Sequence, residues 1–364
     1  MTITRKPVGF YMETSFHFEV YKNVIAALQA QNIPCALVIS DVIEATFVSE
    51  MVGYLQKLQR TDLPLLRVSV LTGKPSQLSC LVSPYYTPLL NNLAPLNVRA
   101  LYGLAKDRWG HAWWNAFYDC VLCYAEHTRQ RIDIGGNAVV VGNPRFDDWH
   151  NAKYDRSLAE MLNRRKKRPT LLYAPTFGEL SSLPHWAESL NALQNDVTLL
   201  VKLHHGTLIR SEEAPSRALV QKYFRKNLVS HASTFSLLEA ADMVVTDNSG
   251  FIFDAIHADK KTLLLGWKGL GNLLHDNRTL SDVYSTDQTV REFLPQAASL
   301  PELRRALSEE TLWPELSDYR RNVCDAFQDG NAGKRAANEI IRLLDDAQRP
   351  QRNFLLQSLR ERLF

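Results

Sequence analysis

Met243–Asp254, with the sequence MVVTDNSGFIFD, is the stretch from which the fold can be worked out. Its first four residues form a short apolar run that predicts a buried strand, and an apolar helix is predicted to begin near Ser249. Between them, Asp247–Gly250 are small or polar and turn the chain. A strand that is apolar throughout, rather than at every second residue, is typical of a parallel sheet covered on both faces. The stretch therefore predicts one strand–turn–helix unit of a doubly wound α/β fold.

The same order of strand, turn and helix recurs along most of the chain. The runs that predict strands are Val8–Met12, Pro34–Ser40, Leu65–Leu71, Cys80–Val82, Val98–Tyr102, Cys120–Tyr124 and Ala138–Gly142, and then Thr170–Ala174, Val197–Leu203, Asn227–Ser230, Met243–Thr246 and Thr262–Leu265. From about Asp287 onward the pattern is helical to the end. Two such series predict two doubly wound Rossmann-like domains, residues 1–150 and 151–330, followed by C-terminal helices over residues 331–364. A ligand cleft is expected at the carboxyl ends of the strands.

Length and composition exclude several classes of protein. The 364 residues are 45% hydrophobic and 22% charged, which excludes a disordered or fibrous chain. The 42 Lys and Arg nearly balance the 39 Asp and Glu, and five of the positive residues form one run, Arg164–Arg168. A nucleic-acid partner is therefore not expected, because such a surface needs basic residues spread over one face. The basic run is available for contact with an anionic membrane.

The sequence shows no secretion signal and no apolar run of membrane-spanning length. The five cysteines have no disulfide or zinc spacing, and Cys120 and Cys123 fit a buried strand better than a metal site. We therefore expect a cytoplasmic protein with reduced thiols, working from the inner face of the membrane if it acts there at all.

The turn after Thr246 is the first candidate site. A helix that follows small residues presents unpaired backbone N–H groups, and these suit a phosphate. The hydroxyls of Thr246 and Ser249 would add donors, Asp247 and Asn248 complete the turn, and Gly250 would let a phosphate approach the backbone. The alternative is that Asp247 or Ser249 only caps the helix.

Two further turns of the second domain follow predicted strands. Lys202 and His204 end one of them, and both suit a phosphate ligand. Thr176 presents a hydroxyl after another strand. In the first domain, Glu13 and His17 follow the first strand, where either could take a proton from an acceptor hydroxyl. The alternative for His17 is a place on the surface of the first helical turn.

Four motifs in order give the chain a family resemblance. They are Gly142–Asp147 (G-x-P-R-x-D), Leu172–Thr176 (L-Y-x-P-T), the strand end Lys202–His204, and Ala241–Asp254, which follows the pattern A-D-x-x-x-T-D-Y-S-S-x-x-F-D except at Asn248 and Gly250. Together they resemble the CDP-glycerol glycerophosphotransferase family, the polymerases and primases of teichoic-acid-like polymers. The resemblance covers residues 140–265 well and the first domain loosely. It implies a GT-B fold in which the second domain binds a CDP-activated donor and the first presents the acceptor. His204 and Ser249 match the family's pyrophosphate contacts.

Three of the chain's departures from the family bear on its chemistry. Gly250 replaces the second serine of D-Y-S-S, and Gly178 replaces an arginine that follows P-T and an aromatic residue. The family's H-G-x-x-x-K matches Tyr102–Lys106, so Tyr102 replaces the histidine expected to act as the base. Because the pKa of a tyrosine is near 10, Tyr102 is a poor base at neutral pH, and Glu13 or His17 is expected in its place.

Three functions follow as hypotheses. The first is a transferase that moves glycerol phosphate, another polyol phosphate or a sugar from a nucleoside diphosphate donor, CDP-linked by preference, to an acceptor hydroxyl in surface polymer synthesis. A helix end and cationic side chains can stabilise the leaving group, so neither a metal nor a cofactor is expected. The second is a UDP-sugar epimerase or hydrolase. The third is a catalytically silent protein that binds a nucleotide or a polymer.

Overall fold

The computed structural model describes residues 5–74, 76–90, 93–164, 167–229, 232–276 and 282–346. The chain divides into two compact units. The first unit contains residues 1–102, 111–151 and 321–364, and the second contains residues 103–110 and 152–320. Both units are built from parallel strands connected by helices.

Twelve strands form the two sheets: β1 (Val8–Met12), β2 (Cys35–Ile39), β3 (Leu65–Arg67), β4 (Cys80–Ser83), β5 (Asn97–Ala100), β6 (Cys120–Cys123), β7 (Ala138–Val140), β8 (Thr170–Tyr173), β9 (Thr198–Val201), β10 (Met243–Thr246), β11 (Lys261–Leu265) and β12 (Gln296–Ala297).

The α-helices of the described residues are α1 (Ser15–Gln29), α2 (Ala45–Leu58), α3 (Val68–Leu71), α4 (Asp107–Gly110), α5 (Glu126–Ile132), α6 (Asp147–His150), α7 (Ser157–Arg164), α8 (Leu183–Ala192), α9 (His205–Ile209), α10 (Ala214–Tyr223), α11 (Thr234–Ala240), α12 (Phe251–His257), α13 (Leu270–Asp276), α14 (Thr286–Thr289), α15 (Leu300–Ser308), α16 (Ser317–Tyr319) and α17 (Ala332–Asp345). Within the described residues, no helix combines the length and the apolar character needed to cross a membrane.

The first unit is a seven-stranded parallel sheet in the order β3-β2-β1-β4-β5-β6-β7. Every residue of β1, β2, β4 and β6 is buried, as expected for strands covered on both faces. The apolar face of α1 packs on this sheet, and α17 packs against α1 with Ala336, Ala337 and Ile340 in the same core. The second unit has a five-stranded parallel sheet in the order β12-β11-β10-β8-β9. Together the two sheets confirm the doubly wound α/β prediction.

Most predicted strands are present, and the exceptions have local causes. Only Leu65–Arg67 of the run Leu65–Leu71 is a strand, because Val68–Leu71 turns into a helix whose Ser69 N–H and hydroxyl both donate to the carboxylate of Asp41. In the predicted strand Asn227–Ser230, Leu228 makes only an isolated bridge with β9, and Ser230 lies outside the described residues. The strand β12 was not predicted, and it interrupts the run expected to be helical from Asp287. Of the C-terminal helices predicted over residues 331–364, residues 347–364 lie outside the described residues.

The boundaries of the two units differ from those of the two predicted domains. Residues 103–110, inside the stretch assigned to the first domain, belong to the second unit, and residues 321–346 belong to the first. The Gly142–Asp147 motif connects residues 321–346 to the rest of the first unit. The carboxylate of Asp147 accepts the N–H groups of Ala332 (2.8 Å) and Gly333 (2.7 Å), the first residues of α17. This motif therefore anchors the C-terminal helix to the first unit.

The Asp147 anchor predicts a pH-dependent stability. Burial raises the pKa of Asp147 to about 6, from an ordinary value near 3.8, and the two backbone N–H groups only partly oppose it. Because the folded pKa is the higher one, ionisation opposes folding, and the free energy of unfolding falls as pH rises from about 4 to 6. A shift of this size corresponds to about 3 kcal/mol. The variant Asp147→Asn lacks this dependence. The difference in free energy of unfolding, variant minus wild type, should therefore be larger at pH 7 than at pH 4.5. Urea unfolding at the two pH values measures the difference, and an equal difference at both would contradict the assignment.

Candidate functional site

Three turns meet at one edge of the second unit's sheet. The strands β10, β8 and β9 are neighbours, with Tyr173 of β8 paired to Val245 on one side and Val201 on the other. Their carboxyl ends are therefore level, and the turns that follow them lie at the same edge. These turns hold the sequence-predicted residues Thr176, Lys202, His204 and Asp247–Gly250.

Asp247 holds two of these turns together. It is fully buried, and its carboxylate accepts the N–H of Thr176 (2.8 Å) together with the N–H (2.7 Å) and hydroxyl (2.8 Å) of Ser182. Burial raises the pKa of Asp247, and these hydrogen bonds oppose the shift. Asp247 thus fixes the path of the turn that carries Thr176. No side-chain hydrogen bond occupies the Thr176 hydroxyl among the described residues, so it is available to a ligand.

The other residues of the Asp247–Gly250 turn have different environments. The Thr246 hydroxyl is buried and donates to the carbonyl of Ala174 (2.6 Å), which joins two strands instead of facing a ligand. Asn248 donates to the carbonyl of Leu180 (2.9 Å) and accepts from Arg291. The Ser249 hydroxyl accepts the N–H of Phe251 (3.2 Å) at the start of α12, as the capping alternative proposed. Gly250 is exposed.

His204 is held in one tautomer. Its Nδ1 accepts the N–H of Gly206 (3.0 Å), so the neutral ring carries its proton on Nε2 and can donate from there. Burial and then the nearby His205, Lys202, Lys106 and Arg210 lower the pKa of His204 to about 2. The side chain is therefore neutral at physiological pH in the absence of a ligand. The structure thus favours His204 as a hydrogen-bond donor rather than as a cation.

Phe177 and Gly206 shape the space around His204. The ring of Phe177 stacks on His204 with their centroids 4.6 Å apart. A Cβ at position 206 would lie 2.8 Å from the Phe177 ring, so only glycine fits there without displacing it. Gly178, where the family has arginine, has a φ of +73°, a backbone conformation in which a longer side chain would be strained. The guanidinium of Arg210 also lies over the Phe177 ring, 5.1 Å from its centroid.

Sequence reasoning missed two cations of this site. Lys106 and Arg210 both lie close enough to His204 to lower its pKa, together with Lys202, whose ammonium group is 5.6 Å from the Phe251 ring. Arg210 stands five residues past His205, just after a short helix, a position that the pattern alone would not single out. Lys106 was quoted only as part of the family motif. A diphosphate would find three cations and one neutral donor here.

In the first unit, Glu13 and His17 lie at the carboxyl edge of the sheet. In this sheet β4 pairs with β1 and β5 pairs with β4. Tyr85 follows β4 in the chain, and Tyr102 follows β5. Glu13 accepts the phenol hydroxyls of Tyr11 (2.5 Å) and Tyr85. His17 is buried, 4% exposed, with the rings of Tyr85 and Tyr102 edge-on at 6.1 and 5.9 Å. His17 is therefore not the surface residue of the alternative.

The two candidate bases differ in their unshared electron pairs. His17 Nδ1 accepts the N–H of Glu13 (3.1 Å), so its neutral ring has a proton on Nε2 and no ring nitrogen left to accept another. The Glu13 carboxylate uses two of its four lone pairs for the two phenols. Burial, and to a lesser degree the charge of Glu13, raises the pKa of Tyr102, whereas Arg99 lowers it. Of these groups, Glu13 is the one suited to accept a proton.

Residues 131–264 match the family model described as CDP-Glycerol:Poly(glycerophosphate) glycerophosphotransferase. That region contains all four motifs of the sequence resemblance. No curated protein matches the chain.

Solved structures match the whole fold at low sequence identity. The wall teichoic acid polymerase TagF is 13% identical with a TM-score of 0.63, over 94% of this chain and 89% of that one. The S. aureus MnaA–UDP co-structure is 13% identical with a TM-score of 0.60, over 95% and 99% of the two chains. A UDP-N-acetylglucosamine 2-epimerase is 11% identical with a TM-score of 0.58, over 96% and 99%. These similarities establish the GT-B fold.

Proposed function

We propose that the chain is a divergent member of the CDP-glycerol glycerophosphotransferase family and that, as a GT-B transferase, it moves glycerol phosphate or a related polyol phosphate from a CDP-linked donor to an acceptor hydroxyl. The observation that carries this proposal is the environment of His204: a neutral ring with its donor on Nε2, among Lys202, Arg210 and Lys106. Of the structural relatives, TagF has been soaked with CDPG and MnaA was solved with UDP. Both observations support a nucleoside diphosphate as the ligand of the second unit.

The second unit would bind the diphosphate of the donor. His204 donates from Nε2, Lys202 and Arg210 supply positive charge, and the Thr176 hydroxyl and the turn at Ser249 and Gly250 supply further donors. Arg210 beside Phe177 would supply the charge that the family places at the position of Gly178. Burial lowers the pKa of His204 most and the cations lower it further, so a bound diphosphate would offset the part that is due to the cations.

The first unit would hold the acceptor and its base. Glu13 takes the proton from the acceptor hydroxyl, whose oxygen forms a bond to the phosphorus of the transferred group. The bond from that phosphorus to the bridging oxygen breaks, and a nucleoside monophosphate leaves with the negative charge. Cations and a fixed donor around that leaving group lower the barrier because they stabilise charge that develops in the transition state. Acceptors with a free hydroxyl, polyol phosphate or saccharide, fit this chemistry, and the basic run Arg164–Arg168 is suited to bring the protein to an anionic membrane where such polymers grow.

A panel of nucleotides tests the proposal. The full chain is heated with CDP-glycerol and with CDP-, UDP-, GDP- and CMP-linked compounds, and then assayed for nucleoside monophosphate release with and without a polyol phosphate acceptor. A donor present at 100 times its Kd adds about 2.7 kcal/mol of stability and raises the melting temperature visibly. We expect CDP-glycerol to give the largest shift and acceptor-dependent release of CMP. Consumption of a UDP-sugar without an acceptor would establish the epimerase or hydrolase instead, and binding without turnover would establish a silent protein.

A further inference from the structure

A short segment that follows Tyr102 in the chain is part of the second unit. Residues 103–110 follow β5, a strand of the first unit's sheet, yet their contacts place them in the second unit. Ala105 lies against the Asp247–Gly250 turn, since its Cβ is 3.9 Å from the position that a Cβ on Gly250 would occupy. The segment therefore lies on the proposed diphosphate site itself.

Buried hydrogen bonds hold the segment in place. The Asp107 carboxylate accepts the N–H of Thr286 (2.9 Å) and also its hydroxyl. The N–H of Lys106 donates to the carboxylate of Asp287 at 3.1 Å. Asp107, Thr286 and Asp287 are all buried, so the bonds are shielded from water. We name the Asp107–Thr286 pair the latch.

Lys106 sits next to the latch in an unusual backbone conformation. Its φ is +67°, a left-handed conformation that is unfavourable for a non-glycine residue and persists only where the surroundings impose it. Its charge acts on the groups of the site: Lys106 contributes to the lowered pKa of His204, and burial lowers the pKa of Lys106 itself, which Asp287 raises and Arg210 lowers further. A polyanion bound here would stabilise these three positive charges.

We propose that Lys106 is a ligand of the donor diphosphate and that the Asp107–Thr286 latch positions it. This inference rests on the proposed function and adds to it a residue from outside the β8, β9 and β10 turns. Asp107 and Thr286 touch no phosphate themselves and act through Lys106.

Calorimetric titration of the full chain with CDP tests the ligand. Lys106→Ala is expected to weaken CDP binding about tenfold or more and to reduce its dependence on salt, because one charge-assisted contact is lost. Lys222→Ala is the matched control, because it removes the same charge from the C-terminal end of α10. At that end the carbonyl of the next residue, Tyr223, accepts a hydrogen bond from Gln194, which lies just past the end of α8. It should bind CDP as the wild type does. Wild-type affinity and salt dependence in Lys106→Ala would overturn the assignment of the ligand.

A double-mutant cycle tests the latch. Asp107→Ala should weaken CDP binding in the wild-type background and have no further effect in the Lys106→Ala background, because it acts through that side chain. Thr286→Val, which removes only the hydroxyl bond, should give a smaller loss of the same kind and guards against misfolding of the first variant. An equal loss in both backgrounds would show that Asp107 acts on the fold and not on Lys106. A wild type that binds neither CDP nor UDP would instead overturn the proposed function, a result separate from either of these.

Discussion

Replacing His204 by alanine is expected to lower kcat/KM for the donor by about 100-fold or more while the protein still folds. The imidazole is the neutral donor among the cations of the second unit, and its Nδ1 is fixed by the N–H of Gly206. Alanine removes the Nε2 proton that would stabilise the departing phosphate. His204→Gln, which keeps an N–H donor on a side chain of similar reach, should recover part of the loss.

His205 is the matched control for this prediction. It is the same residue type, adjacent in sequence, more exposed, and its ring centroid is 4.2 Å from that of His204. His205→Ala should change kcat/KM far less than His204→Ala, and equal losses would show that the pair is needed only for the shape of the turn. Because the pKa of His204 is about 2 in the free protein, the pH profile of kcat/KM should have no limb that His204→Ala abolishes. A limb near pH 6.5 that disappears in the variant would mean that His204 acts as a cation.

The position of this site could be predicted from sequence, but the direction of each side chain could not. A buried strand followed by a polar turn is visible in the pattern, and parallel strands bring such turns to one edge. Which hydroxyl faces a ligand depends on χ angles and neighbouring carbonyls. Thr246 therefore looks like a phosphate donor in the sequence, whereas in the structure it donates to Ala174. Asp247 looks like a cap, and in the structure it holds the turn after β8.

The residues that sequence reasoning missed come from distant or irregular parts of the chain. Lys106 follows a strand of the first unit and reaches the second unit only because residues 103–110 pack there. The strand β12 has two residues, too few for any periodicity to develop. The run Leu65–Leu71 has the composition of a strand throughout, and a tertiary hydrogen bond to Asp41 ends the strand after Arg67. In each case long-range contacts override the local pattern.

Replacing Glu13 by glutamine is expected to lower the rate of transfer by about 100-fold to 10,000-fold, the usual contribution of a general base. Glutamine has nearly the same shape and its carbonyl can still accept a phenol hydroxyl, so the sheet edge should fold unchanged. What it lacks is the capacity to take the acceptor's proton. Since the change lies in the first unit, the affinity for CDP should stay at the wild-type value.

The neighbours of Glu13 separate a base from a structural residue. His17→Gln and Tyr102→Phe alter the same cluster of rings without removing the carboxylate, and each should reduce transfer much less than Glu13→Gln. If His17→Gln were as damaging as Glu13→Gln, the tautomer set by the Glu13 N–H would have to change during the reaction, and His17 would be the base. If Tyr102→Phe were the most damaging, the phenol at the family's histidine position would carry the proton despite the rise that burial causes in its pKa. The structure favours Glu13 because, among the described residues, only the two phenols donate to its carboxylate, which therefore keeps lone pairs for the acceptor's proton.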